Sequence, residues 1–255
     1  MIGVTVTFDE LIAEAEAAPI EGWDFTWLEG RATEDRPSWR YSERVTERAA
    51  RASRMLDLQS GGGEMLARLP QRPPLTVAAE DYPPNVAVAA RRLVPRGAQV
   101  VAAQEASKGL PFPSEVFDLV TSRHPVETCW EEIARVLCRG GRYLSQQVGP
   151  HSVRELSEFM LGPLPSGSKR DPELARRAAQ AAGLVVEDLR HERLRTVFYD
   201  VGAVVYFLRL VVWIVPGFTV QRFSARLRAL HEQIERDGSF VAYATRFLIE
   251  ASKLS

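Results

Sequence analysis

Met55-Leu56-Asp57-Leu58-Gln59-Ser60-Gly61-Gly62-Gly63-Glu64 is the stretch that decides how this chain is read. A short apolar run carries an acid and then breaks into a turn of small residues. Met65-Leu66-Ala67-Arg68-Leu69 continues with a helical pattern. Strand, glycine turn and helix start follow in direct succession. Glycine at Gly61 and Gly63 lets the backbone take positive φ and lets a ligand approach the main chain with no Cβ in the way. A helix start beyond the turn offers N–H groups and partial positive charge to an anionic group. The stretch points to a nucleotide-like cofactor.

Outward from this turn, strand and helix patterns alternate. Strand patterns cover 53–58, 75–80, 99–104, 117–122, 142–148 and 184–190, and helical patterns cover 64–69, 85–93, 127–137, 152–159 and 172–182. Such alternation predicts an α/β fold with a mainly parallel sheet and helices on both faces. Asp171-Pro172 sets an N-cap acid before an N1 proline, and Gly183 stops the same helix. Residues 1–50 read as a helical N-terminal cap or lid, with an acidic amphipathic stretch at 8–17, a loop at 22–39 and a charged helix from Tyr41. Residues 51–190 form the cofactor-binding core. A substrate-side insertion at 191–238 contains an apolar run and then a helix with Phe223, Leu227, Leu230 and Ile234 on one face. A closing strand at 239–255 completes one domain; if it pairs with 184–190, the segment 191–238 is an insertion between two sheet strands.

Composition sets the class. The chain has 255 residues, 45% of them hydrophobic and 25% charged, with a net charge of −1, which describes an ordinary globular protein with no general attraction for nucleic acid or acidic membranes. Paired arginines such as Arg91-Arg92 and Arg176-Arg177 are scattered among acids and read as solvated surface. Cys129 and Cys138 make neither a disulfide framework nor a metal set, which suits a reducing compartment and predicts a cytoplasmic location without a metal site. The first eighteen residues lack the basic and apolar segments of a signal peptide. The apolar run 201–218 carries Arg209 near its centre and ends at Pro216-Gly217. That argues for a buried helix or a pocket wall over a membrane span.

Further acids line up behind the turn. Glu80 ends the second strand pattern, where doubly wound folds bond ribose hydroxyls. Glu105 follows the third strand, and Leu110-Pro111-Phe112 leads into Phe117-Asp118-Leu119-Val120. Ala134-Arg135-Val136-Leu137 precedes Gly140-Gly141. In this order the motifs resemble the class I S-adenosylmethionine-dependent methyltransferases, in particular the subgroup called methyltransferase type 11. The resemblance covers roughly residues 51–148. It implies a Rossmann-like, doubly wound, seven-stranded sheet with one antiparallel strand, and S-adenosylmethionine as cofactor. The turn from Asp57 through Gln59 and Gly61 to Gly63 would hold the amino-acid part of the cofactor. Glu80 would bind the ribose diol. Glu105 would sit near the adenine amino group with Ala106 giving a backbone contact, and Ser122 to His124 would face the sulfonium and the substrate. A nicotinamide dinucleotide fits less well, because the third glycine of its fingerprint falls on Leu66.

Gln59 departs from the family pattern, which has glycine there. A glutamine stands at that place with negative φ, or with strain of roughly 1–3 kcal/mol. Its side chain would then intrude on the methionine end of the cofactor or bond to it.

Methyl transfer from a sulfonium is an in-line displacement that asks chiefly for placement of the nucleophile. A hydroxyl acceptor gains from a base, and His124 after the fourth strand is the catalytic candidate; an equal reading has it bond to backbone. Tyr199, Tyr206 and Trp213 suit a pocket for a planar or apolar small molecule, or the core of the insertion. Trp39, Arg40 and Tyr41 read equally as part of a lid and as a surface loop. The expected activity is O- or N-methylation of a small molecule such as a secondary metabolite. Two rivals are a cofactor-binding protein that transfers no methyl group, and an RNA or protein methyltransferase.

Overall fold

The computed structural model describes residues 6–20, 23–103, 109–166 and 169–254. Its strands are β1 (Ala32–Glu34), β2 (Arg54–Leu58), β3 (Leu75–Glu80), β4 (Gln99–Ala102), β5 (Phe117–Arg123), β6 (Leu137–Val148), β7 (Leu184–Phe198) and β8 (Phe240–Lys253). Its helices are α1 (Phe8–Ala17), α2 (Tyr41–Ala49), α3 (Glu64–Ala67), α4 (Pro83–Leu93), α5 (Trp130–Val136), α6 (Arg154–Leu161), α7 (Pro172–Ala181), α8 (Val201–Leu210) and α9 (Val220–Asp237). By its internal contacts the chain divides into two units. The core unit is Pro37–Pro150, Ser168–Glu192 and Arg246–Ser255; the second unit is Met1–Arg36, His151–Gly167 and Arg193–Thr245.

Among the described residues the strand order is β1-β7-β8-β6-β5-β2-β3-β4. The strands from β4 across to β6 are parallel, and β8 runs antiparallel to β6. This is the expected doubly wound α/β sheet, with eight strands in place of seven. The extra strand is β1, antiparallel to the end of β7, in a stretch that reads as loop in sequence. It has three residues, too few for an alternating pattern to show. β7 also runs eight residues past the expected end at Arg190. Its continuation alternates charged residues with buried Leu194 and Thr196, and the arginines mask the two-residue period.

Central strands such as β2 and β3 are buried on both faces, and their apolar runs reflect this. One face packs Met55, Ala78, Leu119, Leu144 and Leu248 against Trp39, Tyr41 and Val45 of the α2 region and against Leu66 and Leu93. The other packs Leu56, Val77, Val120, Tyr143 and Ile249 against Trp130 and Ile133 of α5 and Ala179 of α7. Glu250 of β8, 2% exposed, accepts ion pairs from Arg48 at 2.6 Å, Arg142 at 3.3 Å and Arg44 at 3.5 Å. Three guanidiniums offset the desolvation of one buried carboxylate. They tie α2 and β6 to β8. The expected cap on α7 is present, with Asp171 Oδ1 accepting from Glu173 N at 2.8 Å.

In the second unit α8 is buried almost all round, and α9 lays Phe223, Leu227, Leu230 and Ile234 on it as one apolar stripe. Arg209 of α8 donates to the carbonyls of Ala15 and Ala18, at the C-terminus of α1. The charge within the apolar run thus closes the end of a neighbouring helix, which favours a cation. Among the described residues no helix is long and apolar enough to cross a membrane.

Candidate functional site

The strand order reverses between β2 and β5, so the crevice at their C-terminal ends is the topological switch point where doubly wound sheets take ligands. The glycine turn leaves β2 at this point. Asp57, the last acid of β2, is 4% exposed and lies beside Thr121 of β5 in the sheet register. Thr121 Oγ1 donates to Asp57 Oδ1 at 2.6 Å, and Ser60 Oγ donates to the Asp57 carbonyl at 2.8 Å. Burial pushes the Asp57 carboxyl up to about 6, against the opposing pull of the Thr121 and Ser60 hydroxyls and the Arg123 charge.

This shift has a sign that can be tested. The folded value lies above the ordinary one, so between about pH 4 and 6 the folded chain holds a proton that the unfolded chain has released. Stability from this group is full below pH 4 and is lost as pH rises through 6. Two pKa units correspond to roughly 3 kcal/mol. The stability difference between wild type and Asp57→Asn is therefore expected to fall by roughly 2–3 kcal/mol from pH 4 to pH 7 in urea unfolding series. Parallel curves for the two proteins would show a carboxyl that titrates normally.

Gly61 and Gly63 stand at φ +57° and +76°, as the turn reading requires. The Gly61 N–H donates to Glu80 Oε2 at 2.6 Å and the Tyr82 N–H to Glu80 Oε1 at 3.1 Å. Glu80, 4% exposed, thus ties the first turn to the end of β3. Burial raises its pKa, and Asp81 beside it pushes the same way, while the two N–H donors oppose the shift. α3 is only four residues long, shorter than the expected 64–69, so its dipole adds little to the turn. Arg92 of α4 closes the outer side by donating to the Gly62 carbonyl and pairing with Glu64.

Gln59 stands at φ +52°, in the left-handed region and not in the extended one. Of the two expectations for this residue, the strained one is observed. Its amide bonds to the backbone of Val126 and Glu127, beyond β5. Beside it, Leu58, Gln59, Ser122, Glu127, Thr128 and Tyr143 line a partly open space that admits about 10 Å³.

At the end of β5, Ser122 is buried. Its Oγ lies 2.7 Å from Tyr143 Oη and 2.9 Å from Ser145 Oγ, and its carbonyl accepts from Tyr41 Oη at 2.9 Å. Trp39 and Tyr41 are 3% and 4% exposed, so they belong to the core and not to a surface loop. Trp39 Nε1 donates to Gln146 Oε1 at 2.8 Å, which fixes the Gln146 amide. Gln146 Nε2 therefore donates to His124 Nε2 at 2.9 Å. The imidazole spends its Nε2 lone pair on that bond and carries its proton on Nδ1. Burial holds the His124 pKa well below its ordinary value, and the charges of Arg246, Arg123 and Arg170 push the same way. His124 is a neutral, oriented ring.

The core unit thus brings together Asp57, Gln59, Gly61, Gly63, Glu80, Ser122 and His124. Glu105 and Ala106 lie outside the described residues. Tyr199, Tyr206 and Trp213 belong to the second unit. There Tyr206 is buried, stacked on Trp27 with centroids 4.8 Å apart, and its hydroxyl donates to Asp24 O at 2.9 Å. Trp213 is half exposed against Trp23, and Tyr199 is exposed. Cys129 and Cys138 are partly exposed free thiols, and among the described residues no group of metal-ligating side chains forms a cation site. Sequence reasoning missed Thr121, Gln146 and Tyr143. All three act through cross-strand register, which a single strand pattern does not reveal.

This sheet order, with the glycine turn and the acid of β3 at its switch point, defines the class I methyltransferase fold. Residues 56–145 match the methyltransferase domain family, the type 11 group read from the sequence. The demethylmenaquinone methyltransferase of Thermus thermophilus is 34% identical over 105 residues, 38% of this chain and 48% of that protein. The chain thus spans about half the length of this curated relative. Among solved structures, the YcgJ protein from Bacillus subtilis shares the fold with a TM-score of 0.60 at 18% identity, over 84% of this chain and 98% of that one. The [4+2]-cyclase SpnF shares it with a TM-score of 0.51 at 17% identity, over 97% and 93%.

Proposed function

We propose that this chain is an S-adenosylmethionine-dependent methyltransferase acting on a small molecule. The carrying observation is the Glu80 carboxylate, which sits at the end of β3 and is tied to the Gly61 N–H across the first turn. A carboxylate has about four acceptor sites, so two N–H bonds leave room for a ribose diol. The donor set fits the cofactor: Glu80 for the diol, and the open backbone of Gly61 and Gly63 with buried Asp57 behind it for the amino-acid end. Glu105 and Ala106 are assigned to the adenine by resemblance. The cofactor supplies an electrophilic methyl group. This chain's own part is to place an acceptor in line with it and to keep water out.

His124 carries its proton on Nδ1 and its Nε2 lone pair is taken up by Gln146, so it orients an acceptor more readily than it removes a proton. That favours an amine arriving neutral, which needs no base. Near-neutral net charge favours a small molecule over RNA. Tyr199, Tyr206 and Trp213 are kept as the candidate substrate residues. Free thiols fit a reducing, cytoplasmic setting.

A second reading is a protein that binds the cofactor without transferring the methyl group. Gln59 favours it, and the fold is shared with a protein described as a [4+2]-cyclase, so fold alone does not decide the chemistry. Calorimetric titration with S-adenosylmethionine and S-adenosylhomocysteine, followed by label transfer from methyl-labelled cofactor to panels of amines and phenols, separates the two. Binding of both with transfer to an acceptor is the expected result. No binding of either at millimolar concentration would refute the reading; binding with no turnover on any acceptor favours the second.

A further inference from the structure

Gln59 reaches across the switch point with both ends of its amide engaged. Oε1 accepts from the Val126 N–H at 2.6 Å, and Nε2 donates to the Glu127 carbonyl at 2.6 Å. One planar amide thus binds the N–H of one residue and the carbonyl of the next. A glycine at this place has no group to offer. The backbone at Gln59 keeps a left-handed conformation that disfavours any residue with a Cβ. A strained residue with two short contacts across a ligand crevice is an arrangement of the kind that stores function.

The segment so held is also tied on its other side. The His124 N–H donates to Gln146 O at 2.7 Å, and the His124 ring meets the Gln146 amide. The chain from His124 to Glu127 is therefore fastened to β6 at one end and to the first turn at the other. The partly open space beside Gln59 admits about 10 Å³, room for about one water. The amide bridge spans from the glycine turn to the segment after β5, the side on which the resemblance places the sulfonium.

We propose that Gln59 is a strap across the cofactor crevice, which closes the segment after β5 onto the glycine turn and is released when the sulfonium end of the cofactor enters. The proposal rests on the cofactor reading above. The strap holds the free protein in a closed state, so apparent affinity is reduced by the fraction of molecules that are open. Ligand entry loosens the Val126 amide, whereas most ligands protect the amides around them. Val126 is 80% exposed, so its amide owes its protection to the Gln59 bond.

Hydrogen exchange at the Val126 amide of the full chain tests this, with and without S-adenosylhomocysteine. Gln59→Ala removes the strap and keeps the backbone strain. Gln59→Gly removes both. Gln59→Glu keeps the acceptor for Val126 and sets a charge against the Glu127 carbonyl. In the free protein, exchange at Val126 is expected to be roughly tenfold faster in the Ala and Gly variants than in wild type, with Glu between them. S-adenosylhomocysteine is expected to speed exchange at Val126 in wild type while slowing it at Gly61 and Tyr82. Calorimetric affinity for it is expected to rise roughly three- to tenfold in Gln59→Ala. Unchanged exchange at Val126 in Gln59→Ala would overturn the strap. So would protection of Val126 by the ligand together with weaker binding in Gln59→Ala, because Gln59 would then be holding the cofactor. Failure of wild type and all variants to bind, with Val126 still dependent on Gln59, would overturn the cofactor reading and the release step, and leave a structural tie.

Discussion

Glu80→Ala is expected to weaken S-adenosylhomocysteine binding by about 100-fold or more, the largest loss from any single substitution in the crevice. Charge-assisted hydrogen bonds contribute about 1.5–3 kcal/mol each, and a diol would take two of them. The same carboxylate holds the Gly61 and Tyr82 N–H groups at 2.6 and 3.1 Å, so its removal also frees the turn that shapes the site. Glu80→Gln separates these effects. It keeps the volume and one acceptor, and its NH₂ faces an N–H donor. Its affinity is expected to fall between those of wild type and Glu80→Ala, with a smaller change in melting temperature. Calorimetric titration measures both variants. An affinity for Glu80→Ala within threefold of wild type would remove Glu80 from the site and with it the main support for the cofactor reading.

Gly63→Ala is expected to destabilise the fold by about 2–5 kcal/mol. Two costs add. The φ of +76° is left-handed, which costs a residue with a Cβ about 1–2 kcal/mol. The new Cβ would also stand 2.6 Å from Leu93 Cδ1 and 2.9 Å from its Cγ. Leu93 is fully buried between Leu66, Ala89 and Ala98, so it has little room to move, and overpacking adds about 1–3 kcal/mol. Gly97→Ala is the control. That glycine has φ +82° with nothing within 4 Å of the added atom, so it carries strain alone, about 1 kcal/mol. In a chain of 255 residues Gly63→Ala is expected to lower the melting temperature by about 5–15 °C and Gly97→Ala by about 2–4 °C. Equal shifts for the two would show that α4 yields to the methyl group and that the turn is held by backbone conformation only.

Much of the core was legible from residue order. Asp57, the glycine turn and Glu80 lie on consecutive elements, and their spacing is a property of the chain. Asp171-Pro172 and Gly183 marked both ends of α7 for local reasons of capping and left-handed geometry. Other features were legible only as alternatives. Trp39 and Tyr41 could be lid or loop until the sheet face they cover was known. The apolar run with Arg209 had a charge whose partners, the Ala15 and Ala18 carbonyls, lie about 190 residues earlier. β1 and the far end of β7 were invisible, because three residues show no period and alternating arginines hide one.

The sequence by itself determined the doubly wound α/β fold, the turn at 57–63 and the acid that serves it, since these follow from local pattern and fixed chain spacing. Tertiary structure alone decided the state of the side chains. Asp57 is pushed up to about 6 because the core buries it, against the pull of the Thr121 hydroxyl. His124 is neutral with its proton on Nδ1 because Trp39 fixes Gln146. Gln59, which in sequence only marks a missing glycine, acquires a role when register brings Val126 and Glu127 within 2.6 Å of its amide. Protonation, tautomer and latch are set by burial and by partners across the sheet. Those depend on which strands become neighbours, and no local stretch of residues encodes that.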